Sequence, residues 1–270
     1  MLFTVVIPTY QRREALGECL SCLAHYFNPE VQERLGFQVE VIVSDDGRED
    51  AVKSLLMSHY PWCSYVAGPK LGPAVNRNHG AKQASGDWIV FTDDDCLPQP
   101  GWLEVYAASA GDCDVMEGRT SALGQRTRVD EECPINETGG FLWSCNFAIK
   151  RDLFFQMGGF NEDFPAAAME DVELNVRVNK AGLACKFVDD AVVLHPWRLR
   201  KGYKFVQAYS ESVAKFVSLH PEYAVRFSLP RQIVNVARSV KHNVRLTLVT
   251  GLIAGMPRQI CLDCYSSILS

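Results

Sequence analysis

Three consecutive aspartates, Asp93, Asp94 and Asp95, directly follow the predicted buried strand Trp88–Thr92. Neighbouring carboxylates repel one another and resist burial, so their position after a buried strand requires a compensating charge. Carboxylate oxygens suit Mg²⁺ or Mn²⁺, which keep some ligand positions for water and substrate phosphates. The cluster therefore predicts a site for a cation and a phosphate group, with a solvated aspartate-rich turn as the alternative.

A second acidic pair, Glu170-Asp171, opens a predicted helix. Asp171, Leu174 and Val178 have helical spacing, which predicts that Asp171 lies on the inward face of the first turn. An acid there is either a partner of the helix dipole or a general base that faces a pocket. His195, which closes a later strand, is similarly predicted to be either a further metal ligand or a hydrogen-bonded core histidine.

The ten cysteines include two C-x-x-C pairs, Cys19/Cys22 and Cys261/Cys264. Four thiolates would form a structural zinc site if the two pairs met in space. Cys19 and Cys22, however, fall inside a predicted amphipathic helix, Arg13–Tyr26, where cysteine usually serves as a small core residue. The cysteines therefore favour a reduced, cytoplasmic protein without a zinc cluster.

The elements that position these residues alternate between strand and helix in the first half of the chain. Strands followed by crossover helices predict an α/β fold with a mostly parallel central sheet and helices on both faces. Polar turns follow three strand ends, at Pro8–Tyr10, Ser44–Asp46 and Asp93–Asp95. The carboxyl edge of such a sheet binds the ligand, so we expect the three turns to form one site. Later strands are predicted at 115–120, 143–149 and 185–194, and later helices at 151–157 and 170–181.

Composition narrows the function classes. A net charge of −5 over 270 residues disfavours nucleic acid as a partner, although a bound cation would still admit a nucleotide. The first residues resemble a strand and not a signal peptide, and the apolar run Leu246–Met256 is about half of the ~20 residues that span a bilayer. A cytoplasmic location is expected.

Beyond Pro196 the pattern changes to long helical periodicity with many basic residues, which predicts a domain at 1–197 and a helical C-terminal extension at 198–270. The extension either packs as a lid or dimer contact, or rests on an anionic membrane and presents a lipid-linked acceptor. The oligomeric state is left open.

A set of motifs in a fixed order resembles family 2 inverting glycosyltransferases with the GT-A fold. The segments that carry the resemblance are Val5–Arg12, Val41–Gly47, Asn76–Ala81 with Ala84–Ile89, Phe91–Asp95, Cys145–Ile149 with Gly158–Glu162, and Glu170-Asp171. They resemble, in turn, the family's first strand and loop, its Asp-Asp-Gly turn, its R-N-x-G segment, its D-x-D motif, the segment before the acceptor-side helix and its E-D motif. Gln11 and Ser44 depart from the usual residues. The resemblance ends near Arg200.

The resemblance implies a role for each matching position. The nucleotide would bind at Pro8, Thr9, Tyr10, Arg12, Asp46, Arg77, Asp93 and Asp94. Asp95 and His195 would hold Mn²⁺ or Mg²⁺, and Asp171 would be the catalytic base. Asn146, Trp143 and Glu170 would contact the sugar or the acceptor.

The resulting hypothesis is inverting transfer from a nucleoside-diphosphate sugar, with uridine as the family's usual base, to a carbohydrate or lipid-linked acceptor in glycan synthesis. Two alternatives stay open. A sugar nucleotidyltransferase would use a similar sheet, but it normally has a glycine-rich phosphate loop where this chain has Pro8–Gln11. A non-catalytic relative would bind nucleotide-sugars without turning them over, although the retained Glu170-Asp171 pair disfavours it.

Overall fold

The computed structural model describes residues 1–128, 131–165, 167–199 and 202–227. The strands are β1 Leu2–Thr9, β2 Gln38–Asp45, β3 Cys63–Ala67, β4 Trp88–Phe91, β5 Leu97–Pro98, β6 Val115–Leu123, β7 Glu131–Glu132, β8 Phe147–Lys150, β9 Cys185–Pro196 and β10 Arg198–Leu199. The helices are α1 Arg13–Leu23, α2 Pro29–Gln32, α3 Ala51–His59, α4 Pro73–Ala81, α5 Trp102–Ser109, α6 Arg151–Gln156, α7 Glu170–Lys180 and α8 Gly202–Leu219.

Eight of the described strands form one sheet in the order β3-β2-β1-β4-β8-β6-β9-β5. The pairs β3–β2, β2–β1, β1–β4 and β6–β9 are parallel, whereas β8 and β5 run antiparallel to their neighbours. A short antiparallel ladder joins β7 to β10. The predicted fold class, a mostly parallel central sheet with helices, is confirmed.

The core lies on both faces of the sheet because strand side chains alternate between them. Phe3, Val5 and Ile7 of β1 point to one face, where they pack with buried residues of α1, α3 and α5. Val6 points to the other face and packs with buried residues of α4 and α6. The prediction of helices on both faces therefore holds.

Two local predictions are wrong. The strand predicted at 143–149 begins only at Phe147, because Gly139, Gly140 and Leu142 have positive φ angles and lead into a turn. The helix predicted to run through Tyr26 ends at Leu23, and one 3-10 turn, Ala24–Phe27, follows it.

The described part of the C-terminal extension packs on the body of the domain. Phe216 of α8 is fully buried, Lys215 pairs with Asp163 at 2.9 Å, and His220 lies 3.3 Å from Glu173 of α7. This packing favours the lid alternative for α8, and the domain boundary at 197/198 stays a prediction. Among the described residues, no helix has the length and apolar character to cross a membrane. Leu246–Met256 and the pair Cys261/Cys264 lie outside the described residues.

Candidate active site

The carboxyl ends of β1, β2 and β4 meet at one edge of the sheet. Register places Thr9 beside Asp45 and Val6 beside Phe91. The turns that follow these strands are therefore neighbours, and the prediction that they share an edge is confirmed.

Arginine side chains compensate the negative charge of the aspartate cluster. Asp93 accepts a hydrogen bond from Arg77 at 2.7 Å, and Asp94 accepts one from Arg12 at 3.0 Å and one from the Thr9 hydroxyl at 2.8 Å. The charge repulsion that the sequence predicted is thus balanced by fixed guanidinium groups, which leaves the carboxylates in a strongly polarised site.

Asp95 has two arginine partners. Arg12 contacts one carboxylate oxygen at 3.1 Å, and Arg198 approaches both oxygens, with Nε at 2.6 Å from Oδ2. Sequence reasoning did not predict Arg198. Its one signal in the sequence is its position three residues after His195, because none of the quoted motifs contains it.

The aspartates differ in proton affinity. Burial raises the pKa of Asp94 to about 6, against the lowering effects of Arg12 and Thr9. Burial also opposes ionisation of Asp93, but Arg77 and Arg198 outweigh it and hold the pKa of Asp93 below its usual range. Asp93 is therefore the firmly ionised member of the pair.

A cavity of about 490 Å³ opens beside this edge. All eight residues predicted to bind nucleotide line it, and so do Arg48, Lys70 and Asn76, which sequence reasoning missed. Tyr10 is exposed at 56%, whereas Asp46 and Arg77 are buried. The cavity combines a partly exposed ring with buried acids and a cluster of basic groups.

The polar wall of this cavity is held in place by a local network. Asp46 accepts a hydrogen bond from the Lys70 amide at 2.8 Å, and Asn76 is bonded to Ser44 through both its side-chain atoms. A Cβ at Gly68 would lie 2.3 Å from Asp46 Oδ1, so only glycine lets the backbone pass here. The acid of the Asp-Asp-Gly turn is thus preorganised.

A second cavity, of about 160 Å³, adjoins the first. Arg77, Asp93 and Arg198 line both cavities, so the two meet at the aspartate cluster. Glu170, Asp171, Trp143, His195 and Tyr209 line the smaller one. The site consequently has a larger compartment and a smaller one on either side of shared charged residues.

Asp171 lies in the first turn of α7, as its spacing predicted. Its Oδ1 accepts a hydrogen bond from the Val172 amide at 2.8 Å, whereas the described residues give its Oδ2 only a 3.5 Å contact from the Ser144 amide. Burial raises the pKa of Asp171, and Arg77 and the nearby amides partly offset this. A loosely held carboxylate oxygen with raised basicity in a cavity wall suits a general base.

Glu170 has a different environment from its neighbour. Its Oε1 accepts a hydrogen bond from Arg77 at 3.1 Å, and its buried Oε2 has no hydrogen-bond partner among the described residues. Burial, with the charge of Asp171, raises the pKa of Glu170 to about 7, although Arg77 opposes this. Arg77 therefore links the acid of α7 to Asp93.

The residues predicted to hold a metal fit that role. His195 is fully buried, and its Nδ1 lies 2.7 Å from the Pro196 carbonyl, which can only accept, so Nδ1 carries the hydrogen. Its Nε2 is left with a lone pair, has no partner among the described residues, and lies 3.8 Å from Asp95 Oδ1. A hydrogen-bonded core histidine would use both ring nitrogens, so this geometry favours the ligand alternative.

The prediction that Asn146 contacts the sugar or the acceptor is wrong, because its side chain points into the protein. Its side-chain oxygen accepts from Trp102 and Tyr106, each at 2.9 Å, and its amide nitrogen donates to the carbonyls of Arg119 and Ala191. All four bonds lie inside the protein, and Asn146 lines neither cavity. It fastens β8 to α5, a structural role.

The segment that carries Trp143 is held by one buried carboxylate. Glu117 of β6 accepts from the amides of Gly140, Phe141 and Leu142 at 2.5, 3.1 and 3.2 Å, and from Asn136 at 3.1 Å. Sequence reasoning did not predict this anchor, which positions a wall of the smaller cavity.

Glu117→Gln should lower the free energy of unfolding by about 2–4 kcal/mol, because the amide nitrogen that replaces one oxygen faces donors and leaves buried N–H groups unpaired. Urea unfolding with circular dichroism measures the change. Glu18→Gln on the exposed face of α1 is the control, with no expected effect. Equal stability of both variants would show that Glu117 does not anchor the segment.

Comparison with known proteins gives a consistent family. The profile of the family described as Glycosyl transferase family 2 matches residues 4–156. Validoxylamine A glucosyltransferase of Streptomyces hygroscopicus subsp. limoneus is 26% identical in an alignment that covers 82% of this chain and 57% of that protein. The chain thus spans less than two thirds of the length of this relative.

Two solved structures have a similar fold. S. aureus TarS 1-349 in complex with UDP-GlcNAc has a TM-score of 0.57 at 20% identity, over 77% of this chain and 62% of that one. GalNAc-T7 with UDP, GalNAc and Mn²⁺ has a TM-score of 0.58 at 15% identity, over 79% of this chain and 48% of that one. At these identities the likeness is one of fold alone.

Proposed function

The chain belongs to glycosyl transferase family 2, and we propose that it transfers a sugar from a nucleoside-diphosphate donor to an acceptor hydroxyl with inversion. One observation carries the proposal. Two cavities meet at Arg77, Asp93 and Arg198. The larger cavity is lined by the residues predicted to bind the nucleotide, and the smaller one by Asp171. A donor whose diphosphate lies at the junction would have its sugar in the smaller cavity.

The donor is proposed to be a uridine-diphosphate sugar. Tyr10 offers a ring for the base, Asp46 offers a carboxylate for a base or ribose donor group, and Arg12, Arg77 and Lys70 offer positive charge. UDP or UDP-GlcNAc is bound in the similar structures, which supports uridine without deciding it for this chain.

Asp171 is proposed to take the proton of the acceptor hydroxyl while that oxygen attacks the anomeric carbon from the face opposite the leaving diphosphate. The C–O bond to the diphosphate breaks as the new bond forms, so a single displacement inverts the configuration. Arg77 and Arg198 stabilise the leaving charge from the junction, and burial strengthens the effect of Arg77. A divalent cation, Mn²⁺ or Mg²⁺, at Asp95 and His195 would add Lewis-acid stabilisation of the diphosphate.

The acceptor is proposed to be a carbohydrate, free or lipid-linked. Trp143 is buried with its ring stacked on Phe141 at 5.3 Å between centroids, and it lines the smaller cavity together with Tyr209 of α8. Aromatic walls beside polar groups suit a sugar ring. A peripheral membrane contact through the extension remains part of the proposal for lipid-linked acceptors.

Arg198→Gln should weaken UDP binding by about 10- to 100-fold, the cost of losing a charge-assisted contact to phosphate. Isothermal titration calorimetry in Mn²⁺ measures the dissociation constant. Arg119→Gln, which removes a surface arginine paired with Asp189, is the matched control and should change nothing. Unchanged UDP affinity in Arg198→Gln would show that this guanidinium pairs with the aspartates and does not bind the phosphate.

A ligand screen tests the proposed donor class. Thermal unfolding of the full chain is followed with nucleoside diphosphates, nucleotide-sugars and triphosphates, each with Mn²⁺. Stabilisation by UDP or a UDP-sugar is the expected result. Release of diphosphate from a triphosphate and a sugar phosphate would instead identify a nucleotidyltransferase.

A further inference from the structure

The side chain that follows the three aspartates has a place in the metal site that the proposed function does not use. Cys96 is fully buried at the end of the turn between β4 and β5. Its Sγ, a carboxylate oxygen of Asp95 and a ring nitrogen of His195 all lie within 4.8 Å of one another. Three atoms at such distances can close on one ion with small side-chain adjustments, because metal–ligand bonds of about 2.0–2.3 Å hold ligand atoms about 3–4 Å apart.

A second observation points to a ligand in the same place. His195 Nε2 is buried without a hydrogen-bond partner among the described residues, and it is directed toward Asp95. A buried acceptor without a partner is costly and calls for a proton donor or a metal. The neighbouring thiol of Cys133 and the Pro196 carbonyl hold the other side of the ring, at 3.8 and 2.7 Å from Nδ1. The imidazole is therefore fixed in the tautomer that a metal ligand requires.

Two other buried thiols near the aspartates are placed differently, and a third, that of Cys145, contacts Cys96 itself. Cys19 makes a 3.7 Å contact with the Asp93 carbonyl, and Cys133 lies beside His195 Nδ1, on the side of the ring away from the lone pair. Neither belongs to the group of ligand atoms around Asp95. Among the described cysteines, Cys96 alone joins a carboxylate and an imidazole with metal-ligand spacing.

We propose that Cys96 is a ligand of the metal at Asp95 and His195, and that its thiolate makes the site prefer Zn²⁺ or Co²⁺ over Mg²⁺. The inference rests on the metal site of the proposed function and concerns which ion that site selects. As the S–metal bond forms, the thiol releases its proton to solvent, so no other reactant is needed. Thiolate and imidazole ligands favour borderline ions, whereas Mg²⁺ prefers oxygen ligands and gains little from sulfur.

The charge balance is consistent with this ligand set. Arg198 and Arg12 contact the Asp95 carboxylate, so a cation there competes with two guanidinium groups. A thiolate brings a second negative charge and so raises the affinity of the site for the cation. An ion that binds sulfur poorly gains nothing from the thiolate. Of the two negative charges it is attracted by the carboxylate alone when it competes with the arginines.

Cobalt titration of the full chain tests the proposal, because a thiolate bound to Co²⁺ gives a near-ultraviolet charge-transfer band. We expect the wild type to show the band and Cys96→Ser to lose it. Cys133→Ser, a buried cysteine beside the same histidine, is the matched control and keeps the band. His195→Gln, which alters a ligand on a different strand, should weaken the same band and so provides a second test if Cys96→Ser is unstable.

Competition between ions gives the size of the effect. Cys96→Ser should bind Zn²⁺ at least about 10-fold more weakly than the wild type, since even outer partners of metal ligands cost about 10- to 100-fold. Its Mg²⁺ affinity should stay within about threefold, because the hydroxyl oxygen replaces a ligand that Mg²⁺ does not favour. The Zn²⁺-to-Mg²⁺ preference therefore falls.

A wild type without the band, or a Cys96→Ser variant with the band and the Zn²⁺ affinity of the wild type, overturns the proposal. In either case, UDP binding that tightens with Mn²⁺ and loses this response in Asp95→Ala would leave the proposed function intact. A cobalt band that depends on Cys96, together with UDP binding that ignores every divalent ion, would instead support the ligand set and contradict the proposed metal role.

Discussion

Asp171→Asn is expected to lower the rate of sugar transfer by about 10²- to 10⁴-fold, the usual contribution of a general base. The amide is nearly the same size but cannot accept a proton, and it keeps an oxygen for the Val172 amide. UDP affinity should stay within about threefold, because Asp171 lines the smaller cavity and not the larger one. Donor turnover and UDP titration calorimetry measure the two effects separately.

The matched control is Asp152→Asn, which makes the same change in the first turn of α6 at an exposed position. If Asp171 only complements the helix dipole, both variants should lose at most about 1 kcal/mol of stability and both should transfer sugar normally. Wild-type turnover by Asp171→Asn would therefore show that Asp171 is not the general base.

The pH dependence offers a second readout of the same residue. Burial raises the pKa of Asp171, and only its ionised form accepts a proton. The rate should consequently rise with pH through an acid limb that lies above the usual aspartate range. That limb should be absent from whatever activity Asp171→Asn retains.

Asp95→Ala is expected to abolish the tightening of UDP binding by Mn²⁺, a loss of about 10- to 100-fold in affinity when the ion is present. Without the ion, the effect of the substitution on UDP affinity should reverse. Asp95 holds Arg198 and Arg12, so its removal frees positive charge beside the diphosphate position. In chelator, the variant should bind UDP at least as tightly as the wild type.

Isothermal titration with UDP, in Mn²⁺ and in chelator, measures this reversal. Asp112→Ala, an exposed aspartate outside both cavities, is the control and should respond to Mn²⁺ as the wild type does. Identical UDP affinity of the wild type in Mn²⁺ and in chelator would contradict the metal site.

Much of the larger cavity could be predicted from the sequence because its residues follow strand ends. Thr9 ends β1, whereas Asp46 and Asp94 follow β2 and β4. Parallel register brings such strand ends together without detailed knowledge of packing. The same local logic placed Asp171, since helical spacing alone fixes its face.

The smaller cavity was harder to predict because its parts come from distant segments. Arg198 contacts Asp95 across 103 positions of sequence, and Glu117 holds the amides of a loop more than 20 residues away. Such contacts depend on how β9 returns beside β6, which no periodicity encodes. α5 was missed although its buried residues Trp102, Leu103 and Tyr106 have helical spacing.

The error at Asn146 has the same origin. Motif order predicts a residue of the site, and the neighbouring Ser144 and Cys145 do line the smaller cavity, but the direction of a side chain depends on where its strand begins. β8 starts at Phe147 and not at 143 as predicted, and the turn before it directs Asn146 toward Trp102 and Tyr106 of α5. An unrecognised helix thus supplied the partners that make Asn146 structural.

Donor hydrolysis by the full chain tests the central claim most directly, because water can replace an unknown acceptor. UDP-sugars are incubated with the wild type and Mn²⁺, UDP is quantified, and the first-formed sugar anomer is identified by NMR. We expect slow UDP release from at least one donor, a sugar product with the anomeric configuration opposite to that of the donor, and loss of both in Asp171→Asn. Release of a sugar with retained configuration, or UDP release that Asp171→Asn leaves unchanged, would contradict the claim.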